Sequence, residues 1–295
     1  MRIVSLLPSA TEILFALGVG EQVVGVTFEC DHPAEARTRR IVSTTELPPD
    51  LPPAEIDDEV RRRVAAGEDL YRLDEGALRD LDAELVVTQD LCAVCAVDLD
   101  DVGAALDHLG CRAEVLTLDP MTLEQVLASI GEVGARVGRR AEAEALVAGL
   151  RQRLAAVETA VAGGPSPRMA VLEWPDPPYS SGHWVPDMVA AAGTVSVLGE
   201  AGTRSGRIEW ADLRAAAPDV VVVAPCGYGL DAAAALAEDL VRQQRLPARV
   251  PVWAADADAA FVRPGPRLVD GVEALASIAH PELVVARPDV VVQVG

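Results

Sequence analysis

The sequence has little positive charge and no long apolar run. Its 295 residues carry a net charge of −21 at pH 7. The polyanionic backbone of a nucleic acid would be repelled by such a chain, so nucleic-acid binding is not expected. The longest apolar runs, such as residues 219–225 (DVVVVAP), have the length of a β-strand. They fall well short of the roughly 20 residues that a membrane-spanning helix needs, so no membrane insertion is expected.

The first residues lack the pattern of a secretory signal. One basic residue precedes a short apolar run at residues 3–7, and Pro8 ends that run. This run is shorter than the apolar region of a signal peptide, and no A-x-A cleavage motif follows it. The five cysteines, an odd number, fit a reducing compartment better than a disulfide framework. The sequence as given therefore predicts a cytoplasmic location, or an extracytoplasmic one if the true start lies upstream.

Strand patterns alternate with helical patterns in both halves of the chain. The strand patterns lie at residues 2–7, 22–27, 84–88, 113–118, 168–173, 219–224 and 250–254. The helical patterns lie at residues 9–17, 75–82, 99–109, 185–192, 231–242 and 266–279. In the first of these helices, Ser9 is expected to cap the amino end with Glu12, and Gly18 to end it. The alternation predicts an α/β protein with mainly parallel sheets.

Residues 121–162 differ from the rest because apolar residues recur there every three or four positions, as in a helix. Unbroken, forty residues would span about 60 Å, although Gly134 and Gly138 favour a bend or break near 134–140. The pattern ends in GGPSP at residues 163–167. We therefore expect two α/β lobes joined by a single long helix. The expected division is an amino-terminal lobe, a backbone helix and a carboxy-terminal lobe at residues 1–120, 121–163 and 164–295.

One internal echo supports two related lobes. Residues 78–92 read LRDLDAELVVTQDLC, and residues 213–226 read LRAAAPDVVVVAPC. Each segment runs from a helix end through an acidic residue and a valine-rich strand to a cysteine. The match predicts that Cys92 and Cys226 follow equivalent strands.

The unusual side chains lie in loops that follow predicted strands, where ligands bind in open α/β sheets. Aromatic residues make up 3% of the chain, and their concentration in these loops suits a large organic ligand. The alternative, that each loop aromatic packs against its own domain, stays open. The candidate ligand-binding residues are Glu29, Cys30, Cys92, Cys95, Trp174, Tyr179, His183, Trp184, Cys226, Tyr228, Phe261 and Arg263.

The Cys92-Ala93-Val94-Cys95 pair allows several interpretations. A redox pair would need a different spacer and a thioredoxin-like context, and a structural zinc site would need a second closely spaced pair. Metal ligands can also converge from separate loops. A thiolate site for a zinc or iron ion would then be formed by Cys30, Cys92, Cys95 and Cys226, with or without His183. Structural thiols near a ligand pocket are the remaining interpretation.

Motifs of common enzyme classes are missing: there is no G-x-S-x-G, no P-loop, no H-E-x-x-H, and no G-x-G-x-x-G after the first strand. No catalytic function is therefore expected. An enzyme that uses a cysteine or a metal at the same place is kept as a further alternative.

Six segments together resemble the cobalamin-binding proteins of the helical-backbone substrate-binding class, which serve ABC importers for corrinoids and metal chelates. These segments are RIVSLLPSATEILFALG, VGVTFECDHPAEA, LVVTQDLCAVC, LEWPDPPYSSGHWVPDMV, VVVAPCGYGL and FVRPGPRLVDG. The resemblance runs from the first strand to about His280. It implies two Rossmann-like lobes bridged by one helix, with the ligand in the cleft between them.

The resemblance implies non-catalytic binding of cobalamin or a related corrinoid, with an ABC importer as partner if the protein is exported. Trp174, Trp184 and Phe261 are expected to cover the apolar ring surface. His183 or a cysteine is expected to approach the metal. Glu29 and Arg263, with backbone groups, are expected to meet the amide side chains of the ligand. The alternative ligand is a zinc or iron ion at the same place.

Overall fold

The computed structural model describes residues 1–78, 80–89 and 113–294. The chain divides into two compact units, and the division passes through the helical segment that was expected to join the lobes. Unit 1 consists of Met1–Pro120 and Leu127–Val147, and unit 2 of Met121–Val126 and Ala148–Gly295. No helix in the described ranges is long and apolar enough to cross a membrane.

Unit 1 contains a mostly parallel sheet. Its described strands are β1 (Ile3–Ser5), β2 (Val23–Thr27), β3 (Arg40–Thr45), β4 (Tyr71–Leu73), β5 (Leu85–Thr88) and β6 (Glu114–Thr117). Their order is β4-β3-β2-β1-β5-β6, and of the neighbouring pairs only β3 and β4 are antiparallel. The central strands β1 and β5 are fully buried. This burial explains their continuous apolar sequence, which is typical of strands covered on both faces.

The helices of unit 1 begin with the segment after β1. The described helices are α1 (Pro8–Ala16), α2 (Pro53–Ala66) and α3 (Glu75–Leu78), with 3₁₀ turns at Gly20–Gln22 and Ala34–Thr38. The predicted Ser9 cap is wrong: Leu7 is the N-cap residue and Pro8 opens the helix. The fixed φ of proline suits the first helical position, where its missing N–H costs nothing. Gly18, at φ +73°, follows the end of the helix as predicted.

The helical segment after β6 consists of two helices, α4 (Leu123–Arg136) and α5 (Arg140–Val161). The break lies where the glycines predict it. Gly138 has φ +70°, and a Cβ on Gly134 would overlap Ala143. The segment contributes residues to both units. The expected division into lobes at residues 120 and 163 stays a prediction.

Unit 2 contains a mixed sheet. Its described strands are β7 (Arg168–Pro175), β8 (Pro178–Ser180), β9 (Val195–Ser196), β10 (Gly206–Arg207), β11 (Val220–Val223), β12 (Val252–Ala255) and β13 (Val291–Val294). The order is β10-β8-β7-β11-β12-β13, and β9 also pairs with β7. The β7–β11 and β11–β12 pairs are parallel. Hairpin partner β8 and edge strand β13 run antiparallel to their neighbours.

Helices cover the sheet of unit 2. They are α6 (Val185–Ala191), α7 (Trp210–Ala215), α8 (Leu230–Arg242), α9 (Ala257–Ala260) and α10 (Leu268–Ala279). One apolar cluster joins the inner faces of β7, β11 and β12 to buried alanine and leucine residues of α8. Arg153 of α5 donates hydrogen bonds to Asp270 and Glu273 of α10, and Arg287 donates to the same two carboxylates. This charged network fixes the carboxyl-terminal half of α5 to unit 2.

The internal echo corresponds to a repeated position in the two sheets. β5 lies between the parallel strands β1 and β6, and β11 lies between the parallel strands β7 and β12. In each unit, the echo segment therefore supplies the strand beside the first strand of the sheet. Cys226 follows β11 as predicted, whereas Cys92 lies outside the described residues.

Candidate functional site

Three aromatic side chains meet at the carboxyl end of the unit 2 sheet. Trp174 lies near the end of β7, and Tyr228 lies in the loop after β11. Their rings are 5.9 Å apart at 60°, an edge-to-face contact. Tyr179 of β8 stands directly opposite Trp174, so both side chains share one face of the sheet. We call Trp174, Tyr179 and Tyr228 the aromatic ledge; all three are half-buried.

A proline-rich turn forms the first part of the ledge. The chain reverses between Pro175 and Pro178, which pair across the hairpin. The indole Nε1 of Trp174 donates a hydrogen bond to the carbonyl oxygen of Asp176, at 3.1 Å. Prolines in the turn restrict the backbone before and after it. The turn therefore brings Tyr179 back beside Trp174 at the carboxyl end of β7.

The loop after β11 is fixed on both sides by backbone hydrogen bonds. The amide of Cys226 donates to the carbonyl of Glu173 on β7, at 3.1 Å, and the amide of Ala257 donates to the carbonyl of Tyr228, at 3.2 Å. Between them, Gly227 has φ +85°, which a side chain would disfavour. Cys226 is an exposed free thiol. The loop thus presents Tyr228 to the ledge from a fixed backbone.

His183 lies in the loop between β8 and α6. Its backbone has φ +52°. Its N–H donates a hydrogen bond to the carbonyl of Thr203, and its carbonyl accepts one from the N–H of Gly202. Its Nε2 is buried and has no hydrogen-bond partner among the described residues. Burial lowers the pKa of the imidazole, and the positive charge of Arg204 lowers this pKa further. The ring is therefore neutral at pH 7.

The loop that carries His183 is tightly packed at Gly182. The amide of Gly182 donates to Oε1 of Glu173, at 3.1 Å. A Cβ on Gly182 would overlap the backbone of Arg204 and Ser205. No larger residue fits this position without moving the backbone of the facing loop.

Two predicted ring-covering residues, Trp184 and Phe261, are packing residues of unit 2. Trp184 is 6% exposed and Phe261 is 1% exposed. The indole Nε1 of Trp184 donates to the carbonyl oxygen of Phe261, at 2.7 Å. This bond ties the start of α6 to the segment after α9, and it leaves little surface of either ring for a ligand. Trp184 also contacts His183, with ring centroids 5.5 Å apart.

Arg263 is largely covered by protein. Its side chain is 10% exposed, and its Nη2 lies 4.0 Å from a carboxylate oxygen of Asp258. This ion pair holds the segment after α9 against that helix. Arg263 therefore has a structural partner, and its expected contact with ligand amide groups stays a prediction.

In unit 1, Cys30 lies inside the fold. It is 1% exposed, and its sulfur lies 3.1 Å from Oγ1 of Thr11 and 3.2 Å from Oγ1 of Thr27. These contacts join the segment after β2 to α1 and explain why a small polarisable residue occupies this position. A buried thiol with two hydroxyl neighbours is not a surface ligand for a metal or a chelate.

Glu29 is half-buried beside two aromatic rings at the carboxyl end of β2. The hydroxyl of Tyr71 donates to Oε1 of Glu29, at 3.4 Å, and the ring of Tyr71 lies 6.0 Å from that of Phe28. Tyr71 was missed from the sequence because β4 is three residues long. Phe28, Glu29 and Tyr71 thus place two aromatic rings and one carboxylate at the carboxyl end of β2 in unit 1.

Of the predicted metal ligands, Cys30, Cys226 and His183 lie within the described residues. Cys92 and Cys95 lie outside the described residues. Within the ranges that are described, no group of three or more His, Cys, Asp or Glu side chains converges as in a metal-ion site. The metal-binding alternative thus gains no support from Cys30, Cys226 or His183.

Two α/β units, each with aromatic and polar side chains at the carboxyl ends of parallel strands, define a ligand-binding protein of the two-lobed α/β class. Residues 93–261, more than half of the chain, match the family model described as periplasmic binding protein. The chain belongs to this family.

One curated relative is similar in sequence, and solved structures are similar in fold. The chain is 25% identical to the uncharacterized ABC transporter substrate-binding lipoprotein YvrC of Bacillus subtilis (strain 168) over 95% of this chain and 80% of the relative. A periplasmic heme binding protein from Pseudomonas aeruginosa matches with a TM-score of 0.73 and 21% identity, covering 100% and 98% of the two chains. The vitamin B12 binding protein BtuF of Vibrio cholerae matches with a TM-score of 0.65 and 21% identity, covering 94% and 95%.

These comparisons confirm the resemblance stated from the motifs, the two-lobed α/β fold and a non-catalytic solute-binding role. They contradict the cytoplasmic location expected from the sequence. The matching family is one of periplasmic binding proteins, and the curated relative is a lipoprotein. The cytoplasmic prediction is therefore wrong, and the comparisons point to an extracytoplasmic location.

Proposed function

We propose that the protein binds a planar metal chelate of the corrinoid type, cobalamin or a close relative, and delivers it to an ABC importer. The observation that carries this proposal is the edge-to-face pair of Trp174 and Tyr228 at the carboxyl end of the unit 2 sheet. Solved structures of the same fold include heme-binding and vitamin B12-binding proteins. Metal chelates are thus the ligand class that the relatives bind and that the aromatic pair of this protein suits.

The aromatic ledge suits the chemistry of a corrinoid. Its rings supply flat apolar area, and such contacts contribute about 0.5–1.5 kcal/mol beyond the area buried. Two of the three residues are tyrosines, and each of these also carries a hydroxyl group. A corrinoid combines a broad apolar face with amide substituents around its edge. Rings that pack and hydroxyls that hydrogen-bond match these two parts of the ligand.

The hydroxyl of Tyr228 remains a hydrogen-bond donor at neutral pH. Burial raises the pKa of Tyr228 above its usual value. The protonated phenol both donates and accepts, which an amide substituent of a corrinoid can match in either orientation. In this proposal Tyr228 therefore orients the ligand edge while Trp174 supports the ring.

The test is direct titration of the purified protein with cyanocobalamin, dicyanocobinamide and hemin, followed by absorbance and isothermal calorimetry. Trp174→Leu should weaken corrinoid binding about tenfold or more, the usual effect of losing a central aromatic contact. Trp210→Leu is the matched control, since Trp210 is also half-buried but packs against the apolar core of unit 2.

Equal losses in both variants would show that Trp174 acts through stability rather than contact. Absence of any corrinoid binding by the wild-type protein would refute the corrinoid proposal. Binding of hemin alone would assign the ledge to a porphyrin instead.

A further inference from the structure

The aromatic ledge continues into a charged residue on the edge strand of unit 2. Trp174 of β7 stands opposite Tyr179 of β8, and Tyr179 stands opposite Arg207 of β10. Directly opposed residues of antiparallel strands point to the same face of a sheet. Trp174, Tyr179 and Arg207 therefore form one row across two strand spacings, about 10 Å, with the guanidinium at the outer end.

The charge of Arg207 is available to a ligand. Its side chain is exposed, and no acidic side chain in the described ranges forms an ion pair with it. Two other arginines of unit 2, Arg153 and Arg287, share the carboxylates of α10. Arg207 differs from them in lying beside the ledge without a carboxylate partner.

The nearest acidic residues along the chain are occupied elsewhere. Glu209 is the N-cap of α7, and its side chain accepts the backbone N–H of Asp212. The carboxylate of Asp212 in turn accepts the backbone N–H of Glu209, at 2.8 Å. This capping box holds both carboxylates at the helix start. In the described residues neither carboxylate forms an ion pair with Arg207.

A second positive charge lies three residues before Arg207 in the chain. Arg204 is exposed, and its charge acts on His183. Arg207 thus places an exposed positive charge at the outer end of the ledge in a protein whose net charge is −21. A local cationic edge on an acidic protein favours an anionic group at this position.

We propose that Arg207 binds an anionic substituent at the periphery of the planar ligand, so that the protein prefers chelates carrying a phosphate or carboxylate group. This inference rests on the proposed function, because the ring of the ligand must lie on the aromatic ledge. A complete corrinoid carries such a group, the phosphodiester of its nucleotide loop, and cobinamide lacks it. Porphyrins such as heme carry carboxylates. Guanidinium groups pair with either anion through parallel hydrogen bonds.

The experiment compares Arg207→Gln with Arg242→Gln in titrations with cyanocobalamin, dicyanocobinamide and hemin at low and high salt. Arg242 is an exposed arginine at the end of α8, paired with Asp239, and serves as the control for lost surface charge. Arg207→Gln should weaken cyanocobalamin binding about three- to tenfold, the range of a charge-assisted contact at a partly exposed site. Binding of dicyanocobinamide should not change. Arg207→Lys should restore part of the affinity.

Salt gives an independent readout. Added salt should weaken cyanocobalamin binding by the wild-type protein and have a smaller effect on Arg207→Gln, since screening acts on the same charge pair. If hemin is the chelate that binds, its carboxylates take the place of the phosphate, and Arg207→Gln should weaken hemin binding by a similar factor.

The outcomes separate the two proposals. Equal affinities of the wild-type protein and Arg207→Gln for every anionic chelate would overturn the role of Arg207. So would an equal loss for cyanocobalamin and dicyanocobinamide. In either case the aromatic ledge remains supported if Trp174→Leu weakens binding about tenfold or more. If no chelate binds to the wild-type protein, the proposed function fails, and the role of Arg207 fails with it.

Discussion

At the scale of single residues, His183 combines a left-handed backbone with a buried ring nitrogen. Its folded-state pKa lies below the unfolded value, because burial and Arg204 disfavour the charged ring. The stability it contributes is therefore complete above the unfolded pKa, about 6.5. As the pH falls below that value, the unfolded state takes up the proton first, and stability decreases until the folded-state pKa is passed.

Urea unfolding of the wild-type protein and of His183→Asn at pH 7.5 and pH 5.5 tests this pH dependence of stability. Asparagine tolerates positive φ and does not titrate. The wild-type protein should lose more stability than the variant between the two pH values, by less than about 1 kcal/mol, since the ring is only partly shielded from solvent. An identical pH dependence in both proteins would contradict the buried, neutral imidazole.

At the scale of elements, the close packing of the loop before α6 depends on one glycine, Gly182. A Cβ on Gly182 would overlap backbone atoms of Arg204 and Ser205, whereas a Cβ on Gly206 of β10 would have open space. Gly182→Ala should therefore destabilise the protein by about 1–3 kcal/mol, the usual cost of overpacking. Gly206→Ala should stay within about 0.5 kcal/mol. Equal midpoints of chemical denaturation for the two variants would refute the close packing at Gly182.

The sequence indicated the buried elements better than the edges. Strands β1, β5 and β11 and the apolar stripe of α4 were predicted because burial on both faces, or along one stripe, leaves a clear hydrophobic period. Edge strands β4 and β10 have three and two residues, too few for any period to appear. The half-exposed helix α2 was missed because only Asp57 of its fourteen residues is buried.

The candidate site was predictable by position and less so by role. The strand-end rule selected Trp174 and Tyr228, whose rings the structure brings together at the carboxyl end of the unit 2 sheet; their role in binding stays a prediction. The same rule could not separate exposed rings from buried ones, so Trp184 and Phe261 were assigned to a ligand surface although both are buried. Arg207 was missed because only the strand register places it beside Tyr179.

At the scale of the whole molecule, ligand binding should appear as added stability. A ligand that binds only the folded protein stabilises it by about 2.7 kcal/mol at a concentration of one hundred times its Kd. The aromatic ledge and Arg207 both lie in unit 2, so unfolding of this unit should shift most. Thermal unfolding followed by the fluorescence of tryptophan, all four of which lie in unit 2, reports on that unit directly. Saturating cyanocobalamin should raise its midpoint by several degrees in the wild-type protein and much less in Trp174→Leu. If titration shows that cobalamin binds but this midpoint does not change, the ligand contacts residues outside unit 2. That result would contradict binding at the aromatic ledge.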